Sequence, residues 1–198
     1  MFEDGFQSEI ESAALATGYG PILRNSGRES FSLRQQIFEQ VRASGRIARA
    51  TIARSLDVSP GSVTALTAEL IADGFLREVE GATRETSRGR PPVALEVVPE
   101  ALRVVGVKLS DETHTAVLTD LAGNLLASAA LGSTTDKKTA ADLLKDTENL
   151  MTQLCTSAEI PTDTISAIGV GISGIVDFES GMVAWSPLLQ NADVPLGQ

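Results

Sequence analysis

The residues whose spacing most directly suggests chemistry are Arg88 and Arg90, in the stretch TSRGRPPVAL from Thr86 to Leu95. Two guanidinium groups flank Gly89 and two prolines follow, so the segment cannot pack in a core and must meet either water or an anion. An extended Arg-Gly-Arg-Pro run puts no bulk between its guanidinium groups. Both can enter the narrow, electronegative minor groove of DNA while proline keeps the backbone extended, an arrangement similar to the core of an AT-hook. Other reactive side chains are sparse. His114 falls in a predicted strand with no second histidine to cooperate with it, and a structural role is expected. The one cysteine, Cys155, permits no internal disulfide and no thiolate-rich metal site, and reads as a small apolar residue on a helix. No catalytic residue, metal site or cofactor is expected.

The two arginines sit in the one basic part of an acidic chain. The 198 residues carry 16 basic and 26 acidic side chains, a net charge of −10. Residues 1–27 hold one Arg against four acids, residues 28–92 ten Arg against eight acids, and residues 93–198 five basic against fourteen acidic side chains. Every basic residue of the middle part is Arg, whose planar donor fork suits phosphate and guanine edges. The hydrophobic content of 42% is ordinary for a soluble globular protein. No apolar run approaches the roughly 20 residues that cross a bilayer, and the acidic N-terminus lacks the order of a secretory signal. A cytoplasmic location without membrane contact is expected.

The elements that must hold the arginines can be read on either side of them. Residues 1–27 have little periodicity and are expected to form a flexible arm. Ser32, with Gln35 three residues on, caps a first helix whose apolar stripe is Leu33, Ile37 and Val41 with Phe38, and Gly45 stops it. Ile52, Ala53 and Leu56 mark a short second helix. Asp57 and Val58 make a tight turn, with Asp57 in the left-handed region. Ser59 and Pro60 then cap and open a third helix that buries Val63, Leu66, Leu70 and Ile71 and ends at Gly74. These offsets match a helix-turn-helix, with small Ala53 at the helix crossing and Val58 in the turn. Phe75–Glu80 alternates as a strand and Val93–Val98 returns as its antiparallel partner, which places the arginines on the far side of a hairpin and makes the whole a winged helix. The third helix is expected to enter the major groove and present Ser59, Gly61, Ser62, Thr64 and Ala65. Arg49 and Thr51 would grip phosphate, and Arg88, Gly89 and Arg90 would enter the minor groove. One such module is small, so a homodimer or higher oligomer on a double-stranded operator with two half-sites is expected.

At RGRPPVALEV the sequence resembles the ROK family, which contains sugar-responsive repressors and sugar kinases. The similarity continues in VVGVKLSDETHTAVLTDLAGN, in IGVGISGIVDFESG and in SPLLQNADVPLG, and so runs from about residue 30 to the end. The resemblance implies an α/β protein with an N-terminal winged helix-turn-helix over residues 28–98. Residues 99–198 would be the first lobe of an actin-like (ribonuclease H-like) body. It also implies a sequence-specific repressor of sugar-metabolism genes under control of a sugar or sugar phosphate, with Ser173 and Gly174 bordering the sugar pocket. The family's Asn-Asp sugar-contacting segment and its Cys-rich zinc loop do not occur before the chain stops at VPLGQ, so a C-terminally truncated piece with an incomplete sugar site is expected.

Residues 101–198 independently suggest one α/β lobe: strands at Arg103–Leu109, Thr113–Thr119 and Leu125–Leu131, a helix over Ala140–Cys155, and an apolar strand at Ile165–Ile172 of the kind buried on both faces. Ile175–Phe178 and Met182–Trp185 can then pair across the turn between them. In the family's kinases the first strand ends in an Asp followed by Gly-Gly-Thr, which admits ATP phosphates. Here Lys108 replaces the Asp, Ser110 and Asp111 the glycines, and Glu112 the threonine. Two carboxylates there repel a polyanion, so neither ATP binding nor phosphotransfer is expected. The competing functions are a ROK sugar kinase with an appended helix-turn-helix, and a winged-helix module that binds protein rather than DNA. Salt dependence separates the last from a DNA binder.

Overall fold

The computed structural model describes residues 31–80, 93–134, 136–177 and 179–196. Its chain divides into two compact units, Met1–Ala101 with Leu121–Asn124, and Leu102–Asp120 with Leu125–Gln198. In the first unit, α1 (Leu33–Ser44) begins on the expected capping box. The Ser32 hydroxyl accepts from the Gln35 amide, and the Gln35 side chain accepts from the Ser32 amide at 2.9 Å. The helix closes at Gly45, whose φ of 70° lies where side-chain-bearing residues are strained. A two-residue strand, β1 (Ile47–Ala48), leads into α2 (Arg49–Leu56). Asp57 then takes the left-handed conformation, φ 53° and ψ 48°, and turns the chain into α3 (Pro60–Ala72). Ser59 caps α3 by accepting from the Ser62 amide at 3.0 Å, with Pro60 at the first helical position.

β2 (Leu76–Val79) and β3 (Ala94–Val97) pair antiparallel, with Leu76 opposite Val97 and Val79 opposite Ala94. β1 joins the other side of β3, so the sheet order is β1-β3-β2. The core of this unit gathers Ile37 and Val41 of α1, Ile52 and Ala53 of α2, Val63 and Leu70 of α3, and Leu76, Leu95 and Val97 of the sheet. Each large aliphatic side chain so buried contributes about 1.5–3 kcal/mol relative to exposure, which fixes how the three helices cross. Leu66 and Ile71, expected in this core, are only partly buried. The inner line of α3 instead runs Val63, Thr67, Leu70, at helical spacing, with the polar Thr67 fully buried.

In the second unit β4 (Arg103–Leu109), β5 (Thr113–Asp120) and β6 (Leu125–Gly132) form an antiparallel meander. α4 (Ala140–Ser157), capped by Thr139 and Asp142, crosses to β7 (Ala167–Ile172), which lies parallel to β4 in the order β6-β5-β4-β7. Leu143, Leu150 and Leu154 of α4 pack with Val105, Val107, Leu109 and Leu118 of the sheet, and Cys155 is buried on the same helix. A separate small sheet holds β8 (Ile175–Asp177), β9 (Met182–Trp185) and β10 (Val194–Pro195). β7 departs from expectation in two respects: it begins at Ala167, and it is not buried on both faces, since Ile168 and Val170 are 51% and 52% exposed. Among the described residues it is an edge strand, bonded within its sheet to β4 alone. An apolar run says what a strand tolerates, whereas exposure depends on what lies over it. Among the described residues, no helix is long and apolar enough to cross a membrane.

Candidate nucleic-acid interface

The N-terminal half of α3 carries most of the residues expected to meet bases. Ser59, Gly61, Thr64 and Ala65 are exposed and Ser62 is half-buried. They form one small-residue face because Val63, Thr67 and Leu70 turn the other side of the helix into the core. The hydroxyls on this face are held by the helix itself. Ser59 and Ser62 share a hydrogen bond of 2.8 Å, and Thr64 Oγ1 donates to the Pro60 carbonyl at 2.8 Å. Oxygen lone pairs on this face remain available as acceptors. Gly61 stands in open space: a Cβ there would meet nothing nearer than Ser59 Oγ at 3.8 Å.

The arginines are placed less simply than their number suggests. Arg34 pairs with Asp73 and Arg42 with Glu39, while Arg46 and Arg77 share Glu96 at 2.6 and 2.7 Å. Burial alone would raise the Glu96 carboxyl, but the bonds from Arg77 and Arg46 and their charges outweigh it and hold it below the usual range. Part of the arginine-only bias is therefore neutralised inside the unit. Arg49, expected on phosphate, turns inward: its Nε donates to Thr67 Oγ1 at 2.8 Å and its Nη2 lies 2.8 Å from Glu78. Thr51 stays half-exposed on α2 and accepts from Arg54 Nη2 at 3.3 Å. Arg54 is exposed, and among the described residues it has no ion pair. It was not singled out from the sequence, although its spacing of three from Thr51 puts both on one helix face. Arg88, Gly89 and Arg90 lie outside the described residues.

The turn that would cradle phosphate in a kinase is closed on itself. The Ser110 amide donates to His114 Nδ1 at 3.1 Å and its hydroxyl to the Thr113 carbonyl at 2.5 Å, while Lys108, Asp111 and Glu112 are exposed. His114 is fully buried. Its Nε2 lies 3.1 Å from Lys138 Nζ and 3.5 Å from Asp146, which Lys138 itself binds at 2.5 Å. Burial, and after it the Lys138 charge, holds His114 below the usual histidine range despite Asp146. The folded state thus binds the proton less readily than the unfolded chain. The stability that follows is complete above about pH 6.5 and declines as pH falls below it. His114 is the only histidine, and Glu96, Asp142 and Asp177 act from about pH 4.5 downward. The urea midpoint is therefore expected to fall between pH 7 and pH 5. A midpoint that is flat over that interval would contradict the buried neutral ring.

Ser173 and Gly174, expected beside a ligand, form the turn between β7 and β8, and both are exposed. Gly174 has φ 147°, and a Cβ there would stand 2.1 Å from the Trp185 carbonyl, so its identity is fixed by the approach of β9. Among the described residues no group of three or more His, Cys, Asp or Glu is placed to hold a metal ion.

No family model matches the chain. The xylose repressor of Caldicellulosiruptor bescii is 30% identical over 154 residues, 76% of this chain and 37% of that protein. The DNA-binding transcriptional dual regulator NagC of Escherichia coli K12 is 29% identical over 148 residues, 74% of this chain and 35% of its own length. The chain thus spans little more than a third of the length of these relatives. Its fold is similar to a crystal structure of a ROK family transcriptional regulator homologous to the E. coli MLC protein. The TM-score is 0.62 at 23% identity, over 83% of this chain and 41% of the other. Over the part that it spans, the chain is a homologue of these transcriptional regulators and shares its fold with a ROK family regulator.

Proposed function

We propose that the chain is the DNA-reading part, with the first lobe of the actin-like body, of a ROK-family transcriptional repressor of sugar-metabolism genes. Residues 28–98 act as a winged helix-turn-helix and residues 99–198 as the lobe. α3 enters the major groove with Ser59, Gly61, Ser62, Thr64 and Ala65, where small side chains let the helix backbone sit close to base edges. Thr51, with Arg54 beside it, meets phosphate. Arg88, Gly89 and Arg90 reach into the adjacent minor groove. Two copies bind two half-sites of a double-stranded operator, and a sugar or sugar phosphate is the effector of the complete protein. Function is cytoplasmic and non-enzymatic. The exposed, small-residue face at the capped start of α3 is the observation that carries this reading. The turn at Ser110, closed by His114 and fronted by two carboxylates, disfavours the kinase alternative.

Gly61→Asp tests the proposal because it separates folding from binding. The position is open and exposed at the second residue of α3, where a carboxylate favours the helix N-terminus by about 0.3–1 kcal/mol. Thermal stability is expected to hold or rise, while affinity for a DNA sequence selected by the unsubstituted chain falls by about a hundredfold from repulsion against the duplex. Unchanged DNA affinity in the folded variant would remove α3 from the interface.

A further inference from the structure

Arg49 touches three elements at once. It is the first residue of α2; its Nε donates at 2.8 Å to Thr67 Oγ1 in the middle of α3, and its Nη2 lies 2.8 Å from Glu78 Oε1 on β2. Thr67 is fully buried, and its hydroxyl passes the bond on, donating to the Thr64 carbonyl at 3.2 Å. Thr64 in turn bonds back to Pro60. A single guanidinium therefore starts a chain that runs from the strand leading into the hairpin to the exposed face of α3. Its planar fork fixes direction as well as distance, which an ammonium on the same stem would not do. The sequence alone suggests a different role for Arg49, a direct phosphate contact, but its Nε and Nη2 are turned to Thr67 and Glu78.

We infer that Arg49 is a positioning residue that holds the angle between α3 and β2, and with it the orientation in which the base-reading face of α3 is presented to a duplex. The inference rests on the DNA-binding function proposed above. α3 and β2 are also joined at one end by the turn at Gly74, where the Phe75 amide donates to the Leu70 carbonyl at 2.9 Å, and by the apolar contact of Leu70 and Leu76; Arg49 adds a second, directional tie between the middle of α3 and Glu78. Thr67, an alcohol where the helix pattern asks for a hydrocarbon, is accounted for by the same role.

The test uses the full chain and three variants, Thr67→Val, Thr67→Ser and Glu78→Gln. Affinity is measured for a duplex selected by the unsubstituted chain and for a random duplex, each over a range of salt. Thr67→Val keeps the shape and loses the bond, and Glu78→Gln loses one ion pair at a half-exposed site. Each is expected to lower the ratio of selected to random affinity roughly tenfold, because a displaced reading element loses its contacts together. The salt slope should stay unchanged and Thr67→Ser should restore the ratio. A ratio unchanged in both variants, even with a lower thermal midpoint, would reduce the cluster to a fold-stabilising pair and overturn the inference. So would higher affinity of Glu78→Gln for both duplexes with a steeper salt slope, since that would mean Arg49 had been released to phosphate. If the unsubstituted chain selects no sequence and binds no duplex, the proposed function fails first and takes this inference with it.

Discussion

Replacing both Arg88 and Arg90 with alanine is expected to weaken binding to an A·T-flanked site by about thirtyfold or more, and to a G·C-flanked site by much less. The physical basis is the minor groove itself. A·T tracts narrow it and deepen its negative potential, so a guanidinium held there gains more than one lying along an exposed phosphate. One such contact contributes about 1–3 kcal/mol, and two arginines one residue apart can act on the same groove, giving about 2–6 kcal/mol together. Fluorescence anisotropy with two labelled duplexes differing only in the flanks measures it directly. The salt slope should also fall by about 0.9 for each phosphate no longer neutralised. Equal weakening on both duplexes would make these arginines ordinary phosphate contacts without a part in sequence choice.

Gly174→Ala is expected to have the largest effect on folding. The added methyl would stand 2.1 Å from the Trp185 carbonyl oxygen, a backbone atom that cannot swing aside as a side-chain tip can. Overpacking of this kind costs about 1–3 kcal/mol, and a side chain at φ 147° adds about 1–3 kcal/mol of backbone strain. The sheet of β8, β9 and β10 must then open at the turn. Trp185 is the only tryptophan, so its fluorescence reports the event without a label. A shifted emission and a lower urea midpoint are expected for Gly174→Ala, and neither for Ser173→Ala, whose side chain is exposed. If alanine at 174 folds as well as glycine with unshifted emission, the described approach of β9 is wrong, and a ligand rather than packing would have to explain the glycine.

Much of this architecture was legible because local rules governed it. The Ser32–Gln35 box, the left-handed Asp57 and the Ser59–Pro60 start each depend on residues within a few positions, and the structure has all three. What escaped was set by partners distant in sequence. β1 has two residues and no alternation to detect, and only its pairing with Leu95 and Ala94 makes it a strand. Thr67 is interior because Arg49, eighteen positions away, satisfies its hydroxyl, and for the same reason Arg49 is not turned outward. Leu66 and Ile71 flank the inner line of α3 rather than lying on it. For Glu96, a charge in a strand suggested nothing until Arg46 and Arg77 were found on either side of it. β7 shows the limit most clearly: Ile168 and Val170 have the composition of an interior strand and half of their surface exposed. The structural role expected for His114 could be anticipated from its isolation, but not Lys138 and Asp146, which the crossing of α4 brings to it; only Ser110, four residues back in the turn before β5, is a local partner.

The central claim is that an acidic chain carries a DNA-directed face in its first hundred residues. Equilibrium binding of the unsubstituted chain to a duplex it has selected from a random pool, followed over a range of salt, tests that claim most directly. The account predicts that log affinity falls linearly with log salt at a slope steeper than about −2, the contribution of two neutralised phosphates, and that selected DNA outcompetes random DNA. Association that ignores salt, or failure to enrich any sequence, would contradict it.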